Sequence, residues 1–554
     1  MNDLQRGSRE PATPDMNTKH HDAVVIGAGF AGLYLIHRLR QQGMSVRVLE
    51  AADDVGGTWY WNRYPGARCD VESLEYSFSF DEALQQEWKW SERYAAQPEI
   101  LRYIQHVADR FDLRRDIEFN SRVSDAEFDP ASNQWTVFTE NGQHFTARFL
   151  IMASGCLSNA KVPDVPGLSS FKGRWFHSGF WPRDGIDFSG KRVGVVGTGS
   201  TGIQLIPMVA RQASHLHVFQ RTANYSVPLR NGPVPEGDIP PQSGYAQLRE
   251  QARHCPSGVA RFPNPQRGAL EMSDAERIEM YEERWNFGGI SFARAFNDTV
   301  FKKDANDLMR AYLVPRMLAG VKDAQVRARL EPTYAVGTKR LCADTGYFET
   351  FNRDNVTLVD IRKSPIVAVT ESGIQTCDGH YALDAIIFAT GFDAITGPLL
   401  AVNMRIKGGA DLKTLWKQGP RAYLGLMVAG LPNLFTVTGP GSPSVLSNVV
   451  VSVEQHVAWI CDCLAHMRAR ELDRIEAQLQ AQEAWAQHVD AIAGQSLMPD
   501  TNSWYMGANI PGKPRMFMPY MGGVGVYRRK CDEVASAGYT GFSLSRTQVA
   551  AQAA

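Results

Sequence analysis

Residues 22–50 read DAVVIGAGFAGLYLIHRLRQQGMSVRVLE: a short apolar run, glycines at 27, 29 and 32, a segment with Leu33, Ile36 and Leu39 on one helical face, and a second apolar run ending in Glu50. This order predicts strand, tight turn, helix and strand. Each glycine has a separate mechanical role. Gly27 makes the turn, Gly29 lets the backbone approach a diphosphate, and Gly32 lets the helix pack on the strand. The N-terminus of the helix then faces the phosphates. Glu50 is placed to accept hydrogen bonds from ribose hydroxyls, and its charge would repel a 2′-phosphate. The unit therefore suits FAD or NAD(H) rather than NADP(H).

The design recurs at residues 191–221, KRVGVVGTGSTGIQLIPMVARQASHLHVFQR, with glycines at 197, 199 and 202. Counting from the first glycine as from 27 to 50 reaches Gln220, followed by Arg221, so a cation stands where the first unit has an acid. Arg221 can hold the 2′-phosphate of NADP(H), with Thr222 and Lys339 as helpers. Pro207 falls inside the predicted helix and is expected to kink it slightly. The expected fold class is α/β, with two Rossmann-like dinucleotide-binding domains and a helical insertion.

The 554-residue chain exceeds the ~250–300 residues at which single cores stop growing, so several domains are expected. Its 58 basic and 59 acidic side chains give no field to draw nucleic acid or a membrane surface, which leaves small molecules as partners. The polar first twenty residues read as a loose tail without the apolar core of a signal peptide, and SLSRTQVAAQAA at the other end as loosely held. No apolar run approaches the ~20 residues of a spanning helix, and the expected location is cytoplasmic. Eight cysteines without a CxxC pair suggest reduced thiols and no metal site. Cys69 stands alone in GGTWYWNRYPGARCD, where a disulfide reductase would carry a redox pair. The residues alone leave an oxygenase, a disulfide reductase and a non-catalytic NADPH sensor open, with oxygen favoured as the electron acceptor.

Between the two units, residues 171–182 read FKGRWFHSGFWP. Phe171, Gly173, His177, Trp181 and Pro182 fit the FxGxxxHxxxW(P/D) fingerprint of type I Baeyer–Villiger monooxygenases. GGTWYWNRYPGARCDVES, GTKRLCADTGYFETFNRDNV, ATGFD, GPGSPSVLSN and NSWYMGANIPGKPR also resemble this family, so the likeness runs from about residue 22 to about 525. It is greatest to the phenylacetone and steroid monooxygenase branch. The resemblance implies that NADPH reduces FAD, that O2 adds to give a C4a-peroxyflavin, and that this attacks a ketone. The tetrahedral, Criegee-type adduct would rearrange to an ester or lactone. Flavin-dependent N- or S-oxygenation is the alternative, since related N-oxygenases carry a similar stretch.

By the same resemblance, Arg340 is the catalytic arginine and Asp70 its partner, which would hold the guanidinium over the flavin. The implied FAD contacts are Gly27, Gly29, Phe30, Gly32, Glu50, Thr58, Trp59, Tyr60, Trp61, Asp70, Tyr76, Val123 and Val449. Those for NADP are Arg68, Cys69, Asp70, Thr198, Gly199, Ser200, Thr201, Gly202, Ile203, Gln204, Arg221, Thr222, Lys339, Arg340 and Trp504. His177 and Trp181 are expected to fix the linker between the units rather than to handle oxygen.

The placements predict an FAD domain over 21–160 and 385–545, with ALDAIIFATGFD returning the chain to it. They predict an NADP domain over 161–228 and 333–384. Residues 229–332 form an insert with helical periodicity in AERIEMYEERWNFGG and DANDLMRAYLVPRMLAGV, expected to line the substrate side. The charged AERIEMYEER face reads as solvated. Which ketone is bound, how it is oriented and how many subunits assemble are not encoded in any spacing rule.

Overall fold

A computed structural model describes residues 20–238, 240, 244–261 and 265–547. The tail at 1–19 and the last residues, 548–554, lie outside the described residues, while His20 already opens the first strand.

The apolar run after His20 is buried from Ala23 onward, as a parallel strand covered on both faces must be. Strand His20–Ile26 pairs in parallel with Val46–Leu49 on one side and His144–Met152 on the other. Ile117–Glu118 extends the sheet beyond Val46–Leu49. An antiparallel meander, Val123–Asp129, Gln134–Thr139 and His144–Met152, extends it the other way and ends on Asn403–Ile406. Leu434–Thr436 also pairs with His144–Met152, so residues from both ends of the chain build this sheet. Helix Phe30–Gln41 packs its buried Leu33, Ile36 and Leu39 into a core shared with the long helix Val449–Ala469.

The second sheet is parallel throughout, ordered Val356–Asp360, His215–Gln220, Arg192–Val196, Ala385–Phe388, Arg174–His177. Ala385–Phe388 corrects the expected boundary at 385. This strand does not return the chain to the first sheet but lies between Arg192–Val196 and Arg174–His177 in the second. An apolar AIIF buried on both faces suits any central parallel strand, and the sequence does not say in which sheet. The return comes just after it. There residues 391–395 run antiparallel to the outgoing segment 156–161, with Asp393 N–H donating to Asn159 O at 2.9 Å and Ile395 N–H to Cys156 O at 2.8 Å.

The insert is helical as its periodicity predicts, with Asp274–Phe287 and Lys303–Leu318. Ser273 and Glu276 close a capping box at the start of the first helix. Outward positions of this helix are exposed, while Tyr281 joins Phe292, Met309 and Tyr312 in the same core as Ile203 and Leu216 of the second unit. Helix Ser200–Ala210 runs unbroken through Pro207.

The fingerprint stretch supplies the edge strand Arg174–His177. Phe171 is buried against Ile386 and Phe388, and Trp181 lies 5.7 Å from the Phe176 ring. Gly173 is sterically required, because a Cβ there would stand 2.5 Å from Asp384 O and 2.6 Å from the Phe171 ring. Gly173→Ala should therefore move the edge strand at a cost of about 1–3 kcal/mol, read as a melting temperature lowered by a few degrees. An unchanged melting temperature in differential scanning fluorimetry would overturn this account.

Candidate active site

Both glycine turns are built by close approach. Gly27 has φ +104°, and a Cβ there would lie 2.8 Å from Ala153 O; Gly197 has φ +110°, with Ala389 O at 2.4 Å. A Cβ on Gly32 would meet Gly27 O, and one on Gly202 would meet Gly197 O, so each helix sits directly on its turn. Gly29 faces the backbone of Gly57, and Gly199 faces open space. Each turn thus brings bare backbone to a helix N-terminus, where N–H groups point outward.

Glu50 is buried, and its carboxylate accepts from Ala28 N–H at 2.7 Å and Ala52 N–H at 2.8 Å. Burial raises its pKa against the pull of those bonds. The acid thus braces the glycine turn. Ser121 N–H donates to Glu50 O at 2.8 Å, which sets the start of strand Val123–Asp129 beside it. The TWYW helix, Thr58–Trp61, divides its residues: Thr58 is exposed, whereas Trp59 is buried and donates to Tyr76 OH at 3.1 Å. Tyr76 also meets Phe30 edge-on at 5.5 Å. Tyr60 OH donates to Asp53 at 2.7 Å and is touched by Arg183, and Trp61 meets Phe180 edge-on at 6.2 Å. The fingerprint stretch is thereby tied to the first unit.

His177 sits where the two linker segments lie side by side. Its Nδ1 accepts from Gly179 N–H at 3.0 Å, leaving the Nε2 proton to face Thr390 Oγ1 at 3.3 Å. Thr390 donates in turn to Lys161 O at 3.0 Å, so one ring ties the returning segment to the outgoing one. Burial holds the His177 pKa below its usual value and the ring neutral.

Asp70 comes from the first unit and Arg340 from the segment leading into strand Cys342–Asp344, yet they meet in two parallel bonds. Arg340 Nε donates to Asp70 Oδ2 at 2.6 Å and Nη2 to Oδ1 at 2.7 Å, while Nη1 donates to Val445 O at 2.9 Å. Burial opposes the charge on Arg340, but the Asp70 carboxylate outweighs it and raises the pKa. Tyr505 lies close enough to feel Arg340, though burial still pushes its hydroxyl up to about 12.

The same approach joins the units elsewhere. Gln204, on the second glycine helix, accepts from Tyr64 OH at 2.9 Å and donates to Arg68 O at 3.1 Å. Arg68 is bound to Glu92 and to Tyr94 O. Cys69 is buried and its thiol pushed up, and Ser200 meets Cys342 Sγ at 3.3 Å. All eight thiols are free. Thr198 donates to Thr222 O at 3.0 Å, which fixes the turn beside Arg221.

Arg221 is exposed, and its charge adds to burial in lowering the Lys339 pKa. Lys339 lies over the Tyr334 ring at 4.6 Å. Among the described residues neither cation has a carboxylate partner. Trp504 is half-buried on a short 3-10 turn, its ring 4.2 Å from that of Tyr505, with no acceptor for its indole N–H among the described residues.

A cavity of about 550 Å³, counting its open mouth, adjoins the Arg340–Asp70 pair. Its wall includes Val259, Phe287, Ile290 and Arg294 of the insert, as well as Leu446. Sequence reading missed Arg294 and Tyr505. Both sit in segments whose approach to Arg340 is set by tertiary folding, and no local motif marks Arg294. Among the described residues no helix is long and apolar enough to cross a membrane.

Residues 20–229 match the flavin-binding monooxygenase-like family. A Baeyer–Villiger monooxygenase of Pseudooceanicola batsensis is 41% identical over 95% of this chain and 96% of its own. A phenazine N-monooxygenase of Lysobacter antibioticus is 39% identical over 96% of this chain and 98% of its own. Among solved structures, an oxidised steroid monooxygenase bound to NADP superposes with a TM-score of 0.91 at 50% identity, covering 96% of this chain and all of that one. With near-complete coverage and the Arg340–Asp70 geometry in place, the chain belongs to the Baeyer–Villiger monooxygenase family.

Proposed function

We propose that this protein is an NADPH- and O2-dependent flavoprotein that converts ketones to esters or lactones. The overall reaction is ketone + O2 + NADPH + H⁺ → ester + NADP⁺ + H2O. The observation that carries this reading is the bidentate Arg340–Asp70 pair on the wall of a cavity, a contact between the two glycine-turn units. The first glycine turn fits FAD and the second NADPH. FAD, when bound and reduced by NADPH, supplies the activation of O2; the remaining work falls to side chains.

Arg340 is the catalytic residue. A guanidinium has five N–H groups; three are committed to Asp70 and Val445 O, and Arg340 with its remaining N–H groups lies on the cavity wall beside Tyr505. These stabilise negative charge that develops on the oxygen of the attacked ketone, and they do so without a proton transfer, because Arg340 stays charged. Asp70 is a positioning residue that fixes the plane of the fork and offsets the cost of burying it. Arg221 and Lys339 hold the 2′-phosphate, with Thr222 beside them. Trp504 offers its indole N–H to the same cofactor, while Arg68, Cys69 and Thr198–Gln204 line its path. Thr58, Trp59, Tyr60, Trp61, Tyr76, Val123 and Val449 would hold FAD, Trp59 and Tyr76 acting mainly by packing on each other and on Phe30. His177 and Trp181 hold the linker, so they act on the relation between the units rather than on oxygen.

The site of action is the cytoplasm, and the partners are a ketone and O2. The relative from L. antibioticus favours N-oxygenation as the second reading. NADPH oxidation followed with a panel of ketones, amines and sulfides, with product analysis, separates the two. An ester carrying one atom from labelled O2 supports ketone oxygenation; oxygenation of amines or sulfides alone overturns it.

Arg340→Ala should leave the rate of flavin bleaching by NADPH within a few-fold in rapid mixing. Ester yield should fall by about 10²–10³ or more. Asp70→Asn should lose less, since it keeps part of the hydrogen bonding; near-normal ester formation by Arg340→Ala would refute the assignment. Arg221→Ala should raise KM for NADPH by about 10–100-fold, the worth of a charge-assisted bond, while KM for NADH moves little. Equal losses with both nucleotides would remove Arg221 from the 2′-phosphate site.

A further inference from the structure

The insert brings a second guanidinium to the cavity. Gly288 and Gly289, with φ +82° and +75°, turn the chain at the end of helix Asp274–Phe287 into the short turn Ile290–Arg294. Gly289 packs so tightly on Tyr94 that a Cβ would stand 2.3 Å from its hydroxyl oxygen. The turn is therefore fixed against the first unit, and Ile290 and Arg294 both reach the cavity wall.

Every acid on that wall is already engaged. Asp70 is taken bidentately by Arg340, and Glu72 is shared between Arg93 at 2.7 Å and Arg261 at 3.0 Å. Arg294 donates only to Leu446 O, at 3.2 Å, and among the described residues no carboxylate pairs with it. Burial, and then the charge of Arg340, pull its pKa down to about 10, still charged at neutral pH. Arg294 is half-buried on the cavity wall, and a guanidinium that gives up part of its hydration without a counter-ion regains that cost when an anion binds. The rest of the wall is largely apolar, with Val71, Val259, Phe287 and Leu446.

Resting on the ketone-oxygenating reading above, we infer that Arg294 is a specificity-determining residue that binds the carboxylate of a keto acid. The ketone end of such a substrate lies at Arg340 and its carbon chain along the apolar wall. A planar carboxylate matches the guanidinium fork, and one uncommitted cation matches one negative charge.

The test compares methyl ketones ending in a carboxylate, levulinate the shortest, with their methyl esters. The intact enzyme should prefer at least one acid over its ester in kcat/KM. Arg294→Met should lower that preference at least tenfold, mainly through KM, and Arg294→Lys should keep most of it. A preference ratio unchanged in Arg294→Met, or a parent enzyme that prefers the ester at every length, overturns the inference. Should the variants fail to retain FAD, hexanoate decides on the parent holoenzyme. Competitive inhibition of a neutral ketone supports the site, and no inhibition refutes it. If the parent oxygenates no ketone, acid or neutral, the functional reading itself fails. Binding of hexanoate, followed by the absorbance of the oxidised flavin, then still decides the anion site alone.

Discussion

The two-pronged contact between Arg340 and Asp70 is the constraint on which the rest of the arrangement turns. Each partner comes from a different glycine-turn unit, and neither could sit where it does alone. Both side chains are half-buried, so either one without the other would lose part of its hydration with no partner to offset it. The pair therefore rewards one relative position of the units, the one in which Gln204 also reaches Tyr64 and Arg68. The third bond, to Val445 O, ties in the chain segment just before helix Val449–Ala469. Three stretches far apart in sequence thus converge on one side chain.

Such convergence needs a joint that is neither loose nor welded. The chain crosses between sheets twice, out at 156–161 and back at 391–395, and the two crossings pair as a short antiparallel ribbon. His177 closes the ribbon through Thr390 and Lys161, and Gly179 lies so near Phe392 and Ala160 that a side chain there would part them. Because burial keeps the imidazole neutral, the joint is a hydrogen-bonded one whose strength does not depend on an ion pair. Of the fingerprint residues, His177 bonds within this crossing, while Phe171 and Gly173 pack against the second sheet.

Much of this is legible in the sequence because it rests on local rules. Strand, glycine turn and helix follow from spacing, and the exchange of Glu50 for Gln220-Arg221 follows from counting. The helices of the insert follow from periodicity. Sequence reading misplaces the strand Ala385–Phe388 because an apolar four-residue run encodes burial but not the sheet that buries it. The WYW cluster shows the same limit from the other side: its composition is readable, yet only packing separates exposed Thr58 from Trp59 locked onto Tyr76. Glu50 has a second employment, bracing Ala28 and Ala52, that its position at a strand end does not announce.

Charge accounting around the cavity explains why Arg294 escapes any motif. An arginine in an insert reads by default as a solvated charge, and several exposed arginines of this chain do pair with surface carboxylates. Its difference from them lies in what surrounds it: the nearby acids are spoken for, the wall is apolar, and the neighbouring cation repels it. None of these conditions is a property of residue 294 or its sequence neighbours. They arise from the first unit, the loop at 445–448 and the insert meeting around one cavity. The nucleotide turns, which recognise common ligands, are written in short spacings; the substrate wall, which must recognise a particular one, is written only in the assembled fold.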